Sequence, residues 1–305
     1  MILIGAILVG LWGLAWSADR FVSASVSLAY RAGVSTLVIG LTVVAFGTSA
    51  PEILVSTIAS WQGNTGLAIG NAIGSNIANI ALVLGITACL YPLKFQQNLA
   101  HEFHFLLFIT VIVYLLLLNQ QLDYWNGWVL LGSLFAFVIW RIKTTKASAE
   151  KTEKTKQPST NLALQLWLFL SGLLLLLLSS RLLVWGAVGI AESLQISEEV
   201  IGLSVVAIGT SLPELATSIT AVRRGEHGLL IGNIIGSNLF NLLAVLGVAG
   251  IIHPTTISLA ILQIDYPLMM GLTLVLFGLV YFNHIHRWQA TLLLLIYFGY
   301  QLIRL

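Results

Sequence analysis

Two glutamates stand at equivalent positions in two closely similar stretches of this chain. Residues 47–52 read GTSAPE and residues 209–214 read GTSLPE, so Glu52 and Glu214 are related by adding 162 to the residue number. Both lie inside apolar runs, where burying one ionised carboxylate in hydrocarbon costs at least about 2.5–3.5 kcal/mol. A bound cation would remove this cost and the repulsion between two facing carboxylates, and so would a proton. The pair therefore predicts a cation site inside a membrane.

The residues before each glutamate predict a break in the helix that carries it. Pro51 and Pro213 each remove a backbone hydrogen bond and clash with the preceding turn. We expect each span to bend or unwind here, with Ser49 and Ser211 capping the half-helix that follows and the proline in its first turn. The spacing Ser-x-x-Glu is also that of a capping box, which is the purely structural interpretation of the glutamates.

A second polar element follows each break. Residues 70–80 read GNAIGSNIANI and residues 232–242 read GNIIGSNLFNL. Side chains four residues apart share a helix face, and the glycines let a neighbouring helix approach closely. We expect Asn79 and Asn241, which extend this face, to contact the ion. Packing through side-chain hydrogen bonds explains four other asparagines equally well: Asn71, Asn76, Asn233 and Asn238.

The two elements together supply only oxygen ligands. Besides carboxylates and amides, they offer backbone carbonyls near Ala45 and Ala207 and six hydroxyl groups, those of Thr48, Ser49, Ser75, Thr210, Ser211 and Ser237. Hard cations prefer such ligands, and Ca²⁺ takes about six to eight oxygens. Zinc and copper more often recruit imidazole or thiolate, but the histidines lie in predicted loops or at span ends and Cys89 is the single cysteine.

The composition is that of an integral membrane protein. Hydrophobic residues make up 58% of the 305 residues and charged residues 9%, whereas soluble domains are about 25% charged. Apolar runs long enough to cross about 30 Å of hydrocarbon recur along nearly the whole chain. They predict ten helices, at 2–28, 38–60, 66–91, 102–118, 126–142, 162–190, 200–222, 228–252, 264–283 and 288–304.

The expected fold is an all-α membrane protein whose ten transmembrane helices form two inverted five-helix repeats, residues 1–142 and 161–305. A polar stretch at 143–160 joins them as a flexible linker. Basic residues gather in this linker and in the loops on its side, which the positive-inside rule assigns to the cytoplasm. Both termini are then external. The expected location of the protein is the inner or plasma membrane of the cell. Inverted repeats are typical of alternating-access transporters with substrate held near the midplane.

On these motifs the chain resembles the sodium/calcium exchanger superfamily, the cation/Ca²⁺ antiporters, and within it the bacterial branch of inner-membrane exchangers. The paired G-T-S-x-P-E and G-N-x-x-G-S-N-x-x-N segments are similar to the two α-repeats of that family. The resemblance implies that inward Na⁺ drives Ca²⁺ outward through one site exposed alternately to each side. It also implies that helices 1 and 6 slide against the other eight.

The resemblance further implies the ion ligands. Ca²⁺ would lie between four residues: Glu52, Glu214, Thr48 and Thr210. Sodium ions would share the glutamates and use a second set: Ala45, Ser49, Ser75, Asn79, Ala207, Ser211 and Ser237. Some archaeal relatives carry an aspartate where this chain has Asn241. Because Asn79 and Asn241 are both neutral, the site has two formal negative charges, which balance one Ca²⁺. Potassium co-transport, which in some relatives is linked to an acidic residue at this position, is then less expected but stays open.

Other functions stay open on the sequence alone. A Ca²⁺/H⁺ antiporter would use the same carboxylates, although its usual relatives place a glutamate where this chain has Gly74 and Gly236. A cation channel or a non-transporting membrane protein needs no inverted pair of broken helices. We expect no enzyme, because no nucleophile–base pairing is apparent, and no cofactor. The expected partners are Ca²⁺, Na⁺ and the lipid bilayer, with no nucleic acid and no obligate protein partner.

Overall fold

The computed structural model describes residues 2–94, 100–149, 161–195, 207–282 and 284–304, which are almost entirely helical. The helices are α1 (Ile2–Ala32), α2 (Thr36–Thr48), α3 (Ala50–Trp61), α4 (Thr65–Leu90), α5 (Ala100–Leu117), α6 (Tyr124–Ala149), α7 (Leu162–Ser193), α8 (Ala207–Thr210), α9 (Leu212–Arg223), α10 (His227–Ile252), α11 (Ile261–Tyr281) and α12 (Arg287–Arg304). The strands are β1 (Leu93–Lys94), β2 (Gln121–Leu122), β3 (Thr255–Thr256) and β4 (His284–Ile285).

Several of these helices are long and apolar enough to cross a membrane. In the described part of the chain, five pass that test by length and composition, and α2 with α3 makes a sixth if the bent pair counts as one span. The helix α6 continues to Ala149, past the predicted start of the linker at Lys143. The rest of that linker, and residues 200–206 of the predicted seventh span, lie outside the described residues.

The helix boundaries follow local rules. Asn64 and Asn161 cap α4 and α7, since their side chains accept hydrogen bonds from backbone N–H groups of the first turn. Gly63 and Gly225, related by the offset of 162, both have positive φ, +80° and +76°. That conformation follows the ends of α3 and α9 and suits glycine, which has no Cβ. The two halves therefore turn in the same way at equivalent points.

The helices α1 and α7 pack closely along their lengths. A Cβ on Gly10 would lie 2.8 Å from the Cβ of Leu183, and a Cβ on Gly172 would lie 3.0 Å from the backbone nitrogen of Phe21. Adding 162 converts Gly10 to Gly172 and Phe21 to Leu183. The same contact thus occurs twice, with the roles of the two helices exchanged.

The short strands join the two halves in the same reciprocal manner. β1 pairs antiparallel with β4, placing Leu93 opposite Ile285, and β2 pairs antiparallel with β3, placing Leu122 opposite Thr255. An offset of 162 converts Leu93 to Thr255, and an offset of 163 converts Leu122 to Ile285. The second half is therefore one residue longer than the first between these two points.

An ion pair joins the last two helices of each half. Arg141 of α6 lies 2.7 Å from Glu102 of α5, and Arg304 of α12 lies 3.2 Å from Asp265 of α11. An offset of 163 relates both members. The side chains of Arg141 and Glu102 are only 12% and 7% exposed, so their charges depend on each other for compensation.

We expect Arg141→Ala to destabilise the protein strongly. Removing one partner of a buried ion pair leaves an uncompensated charge and costs about 3–5 kcal/mol, and the added change Glu102→Gln should recover part of this loss. The control is Arg224→Ala, which breaks an ion pair with Asp19 whose side chains are 37% and 58% exposed; exposed pairs contribute about 0–1 kcal/mol. Thermal unfolding of the purified proteins in detergent measures the difference. Equal Tm values for Arg141→Ala and Arg224→Ala would contradict this role.

Candidate functional site

Both predicted helix breaks are present. The helices α2 and α3 meet at Ser49 with a bend of 44°, and α8 and α9 meet at Ser211. The two serines have nearly the same backbone conformation, with φ of −81° and −88° and ψ of 4° and 3°. Pro51 and Pro213 lie in the first turns of α3 and α9, as predicted. The sequence therefore located the interruption correctly in each half.

The predicted serine caps are wrong. Neither Ser49 nor Ser211 makes a side-chain capping hydrogen bond. The hydroxyl of Ser49 donates instead to Oε1 of Glu214 in the other half of the chain, at 3.3 Å. Glu52 does not complete a capping box either, because both its carboxylate oxygens lack hydrogen-bond partners among the described residues. The purely structural explanation of the glutamates fails for this reason.

Backbone carbonyls around the breaks accept hydrogen bonds from polar side chains. Asn71 of α4 donates from Nδ2 to the carbonyl oxygen of Glu52 at 3.2 Å and to the hydroxyl of Ser56 at 2.9 Å. Ser180 of α7 donates to the carbonyl oxygen of Gly209 at 2.9 Å. Irregular backbone at membrane depth requires such partners. The side chains of α4 and α7 thus stabilise the interruptions that position the carboxylates.

The two carboxylates are buried and close to each other. Glu52 is 0% exposed and Glu214 is 1% exposed, and their charges are near enough to repel. Oε1 of Glu214 accepts from Ser49 and, at 3.4 Å, from Ser237 of α10. The other oxygen of Glu214, like both oxygens of Glu52, has no partner in the described part of the chain.

Some of the predicted hydroxyl groups, but not all, belong to the hydrogen-bond network around Glu214. Thr48 lies within 3.4 Å of Ser237 and donates to Oδ1 of Asn233 at 3.1 Å. The hydroxyl of Ser211 is buried and has no partner among the described residues. Thr210 and Ser75 are also buried. The structure therefore brings Thr48, Ser49 and Ser237 into one network with Glu214.

The structure gives a hydrogen bond for one of the two predicted backbone ligands, the carbonyl of Ala45, and only the backbone conformation for the other, that of Ala207. The carbonyl of Ala45 accepts from the backbone N–H of Ser49 at 2.9 Å, and the hydroxyl oxygen of Thr48, whose proton goes to Asn233, lies 3.4 Å from it. It is therefore occupied within its own helix in this conformation. Ala207 begins α8, and the structure describes only its helical backbone.

The amides of Asn79 and Asn241 are buried at the crossing of α4 and α10. Nδ2 of Asn79 donates to Oδ1 of Asn238 at 3.2 Å, and Nδ2 of Asn241 donates to Oδ1 of Asn76 at 3.0 Å. The Oδ1 atoms of Asn79 and Asn241 have no partner among the residues that the structure describes. Sequence reasoning left Asn76 and Asn238 undecided between packing and function, although the repeated Gly-Ser-Asn motif marks both.

Tight helix packing encloses the site on the side of α2 and α10. A Cβ on Gly236 of α10 would lie 2.5 Å from the carbonyl oxygen of Leu41 in α2, whereas a Cβ on the equivalent Gly74 of α4 would meet no described atom within 4 Å. Asn233 is fully buried, but its equivalent Asn71 is half-buried. The site is therefore closed by tight helix packing on the side of α2 and α10. Residues 199–203, which the offset of 162 relates to residues 37–41 of α2, lie outside the described residues.

The chemistry of the buried, unpartnered atoms suits a hard cation. Five of the oxygen acceptors and one hydroxyl lack partners within the described ranges: Glu52 Oε1, Glu52 Oε2, Glu214 Oε2, Asn79 Oδ1, Asn241 Oδ1 and Ser211 Oγ. Each unsatisfied buried group costs about 1–3 kcal/mol, and a charged one costs more. Within the described ranges, no three His, Cys, Asp or Glu side chains cluster as a transition-metal site would require. An oxygen-ligated cation would satisfy these atoms.

Comparison with known proteins agrees with this chemistry. The family model described as sodium/calcium exchanger protein matches residues 2–143 and 164–305. The chain is 44% identical to CaxA of Alkalimonas amylolytica over 307 residues, covering 97% of this chain and 96% of CaxA. It is 37% identical to the inner membrane protein YrbG of Escherichia coli over 282 residues, covering 88% and 86% of the two chains.

A solved structure shares the fold. The sodium-calcium exchanger NCX_Mj, soaked with Na⁺ and Sr²⁺, aligns with a TM-score of 0.86 at 34% identity and covers 98% of each chain. The family resemblance drawn from the paired glutamate and asparagine motifs is thereby confirmed. This transmembrane chain belongs to the sodium/calcium exchanger family.

Proposed function

We propose that this protein is a secondary active antiporter that exchanges Na⁺ for Ca²⁺ by alternating access and so extrudes calcium from the cell. One observation carries the proposal. Two buried carboxylates, one on each broken helix, meet with three of their four oxygens unpartnered among the described residues. Their two formal charges balance one Ca²⁺. Na⁺ would bind the same carboxylates, so that bound Na⁺ excludes Ca²⁺ and bound Ca²⁺ excludes Na⁺.

The proposed ion ligands divide into two sets. Ca²⁺ lies between Glu52, Glu214, Thr48 and Thr210. Na⁺ uses the glutamates with further oxygens, those of Ala45, Ser49, Ser75, Asn79, Ala207, Ser211 and Ser237. The amide oxygens of Asn79 and Asn241 contact the bound cation, whether it is Ca²⁺ or Na⁺. The burial of these side chains, where described, and the network around Glu214 Oε1 support this assignment. The carbonyl of Ala45 would need to exchange its present hydrogen bond for the ion.

The proposed architecture is ten transmembrane helices in two inverted repeats, residues 1–142 and 161–305, with the stretch 143–160 as a cytoplasmic linker. Three reciprocal contacts support it: the glycine contacts between α1 and α7, the two strand pairs and the two ion pairs. Each recurs at an offset of 162 or 163. The asymmetric distribution of basic residues supports external termini.

Alternating exposure is expected from the duplication of the site in two repeats. An inverted repeat can adopt two equivalent arrangements in which the halves exchange roles. In the arrangement described, α10 packs tightly on α2. In the other, α4 would take the tightly packed position, and the ion would face the opposite side. As the family resemblance implies, α1 and α7 would slide against the other helices during this exchange.

The test is counter-ion dependence in proteoliposomes of the purified protein. Vesicles loaded with Na⁺ and diluted into Na⁺-free medium should accumulate ⁴⁵Ca²⁺. Vesicles with equal Na⁺ on both sides should show only the uptake of protein-free liposomes. A third set without Na⁺ carries a pH gradient alone.

The other outcomes each identify a different function. Uptake driven by the pH gradient without Na⁺ would replace the proposal with a Ca²⁺/H⁺ antiporter. Ca²⁺ entry that follows its own gradient and needs no counter-ion would identify a channel. The absence of Ca²⁺ movement under all three conditions would exclude calcium as the substrate.

A further inference from the structure

Four asparagines form a bridge between α4 and α10 that goes beyond the ligand set described above. Asn76 and Asn238 are equivalent by the offset of 162, as are Asn79 and Asn241. Each member of the first pair accepts, through Oδ1, a hydrogen bond from Nδ2 of a member of the second pair in the opposite half. All four side chains are buried. The bridge is therefore reciprocal between the two repeats.

The orientation of one amide in this bridge is determined by backbone chemistry. Nδ2 of Asn76 donates to the backbone carbonyl oxygen of Asn238 at 3.2 Å. A carbonyl oxygen can only accept, so Asn76 must present its nitrogen there and its oxygen to Asn241. Asn241 must then present its own nitrogen to Asn76. The oxygen of a planar amide points away from its nitrogen, so Oδ1 of Asn241 is directed away from the bridge.

The arrangement leaves three buried amide atoms without partners among the described residues: one nitrogen, Nδ2 of Asn238, and two oxygens. Oδ1 of Asn241 and Oδ1 of Asn79 both lack partners among the described residues, and both asparagines are related by the repeat. A buried acceptor without a partner is unfavourable, and the same atom is left in this state twice. A cation bound by these two oxygens would supply the partner that each of them lacks.

We propose that Asn76 and Asn238 are positioning residues that hold the amide oxygens of Asn241 and Asn79 toward the transported cation. This inference rests on the proposed function, since it assumes that the ion binds between the two halves. Outer-shell partners that orient metal ligands typically contribute about 10–100-fold to metal affinity. The two asparagines thereby contribute to Ca²⁺ affinity without contacting Ca²⁺.

The test is Ca²⁺ binding to the purified full-length chain in detergent, titrated with CaCl₂ in a calorimeter. We expect Asn76→Ala to raise the Kd for Ca²⁺ about tenfold. In proteoliposomes the same variant should raise the KM for Ca²⁺ and keep the maximal exchange rate, because it removes binding rather than a transport step. The control Thr87→Val removes a buried hydrogen bond from Thr87 to Val83 in α4 and should leave the Kd unchanged.

A double-mutant cycle separates positioning from general stability. If Asn76 acts only through Asn241, Asn76→Ala combined with Asn241→Ala should bind Ca²⁺ as weakly as Asn241→Ala alone. Additive losses, or a wild-type Kd in Asn76→Ala, would overturn the inference. Should Asn76→Ala fail to fold, the equivalent cycle of Asn238→Ala with Asn79→Ala applies the same criterion. A wild-type protein that neither binds nor exchanges Ca²⁺ would instead refute the proposed function.

Discussion

Replacing either buried glutamate by glutamine is expected to abolish Na⁺-driven Ca²⁺ uptake. Glu52→Gln and Glu214→Gln preserve the shape of the side chain and remove one of two charges that oppose Ca²⁺ in a desolvated site. Losing one partner of a buried charge pair costs about 2–5 kcal/mol, and every 1.4 kcal/mol is tenfold in affinity. We therefore expect Ca²⁺ affinity to fall about 100-fold or more, and ⁴⁵Ca²⁺ uptake to reach the level of empty liposomes.

The stability of these variants distinguishes loss of binding from loss of structure. Without Ca²⁺, each glutamine variant should unfold at a Tm no lower than wild type, because the repulsion between two close carboxylates has been removed. Saturating Ca²⁺ should raise the Tm of wild type, since a ligand at 100 times its Kd adds about 2.7 kcal/mol. It should leave the Tm of both variants unchanged.

The matched control is the same chemical change at an exposed glutamate. Glu192→Gln, near the end of α7, should retain uptake and the Ca²⁺-dependent rise in Tm. Transport at wild-type rates in both Glu52→Gln and Glu214→Gln would refute the site.

The second large effect is expected from adding a single methyl group at the contact of α10 with α2. A Cβ on Gly232 would press on the carbonyl oxygen of Leu37 and lie 2.9 Å from the backbone nitrogen of Leu41 and 3.1 Å from Cα of Gly40. These are backbone atoms, which cannot rotate away as a flexible side chain can. Overpacking typically costs about 1–3 kcal/mol, and occasionally more. We expect Gly232→Ala to lower the free energy of unfolding by an amount at the upper end of this range.

Function should suffer from Gly232→Ala as well as stability. Because α2 ends at Thr48 and leads into Ser49, moving it away from α10 separates Thr48 from Asn233 and Ser237. We expect exchange to be lost even in the fraction that remains folded, measured as uptake per folded protein after size-exclusion chromatography. Gly278→Ala in α11 is the control, because a Cβ there meets no described atom within 4 Å. Gly232→Ala behaving like Gly278→Ala would show that the close approach is unimportant.

Local chemistry allowed several features to be predicted from the sequence. Pro51 and Pro213 specify the helix breaks because a missing N–H and a fixed φ act within one turn, whatever surrounds them. The family follows from the duplicated glutamate and asparagine motifs. The burial of Glu52 and Glu214 follows from the apolar runs around them. A charged side chain that faced lipid would be costly, so both glutamates are expected to lie inside the protein.

Only the tertiary structure decides which side chains meet. Ser49 was expected to cap its own helix, but it donates to Glu214, 165 residues away. The donor of Asn241 faces Asn76 across the same separation, which explains why its oxygen is left for an ion. A hydroxyl or amide has several partners of similar energy within reach, and spacing along one helix says nothing about the face that a second helix presents. Packing between the halves makes that choice, and with it the site.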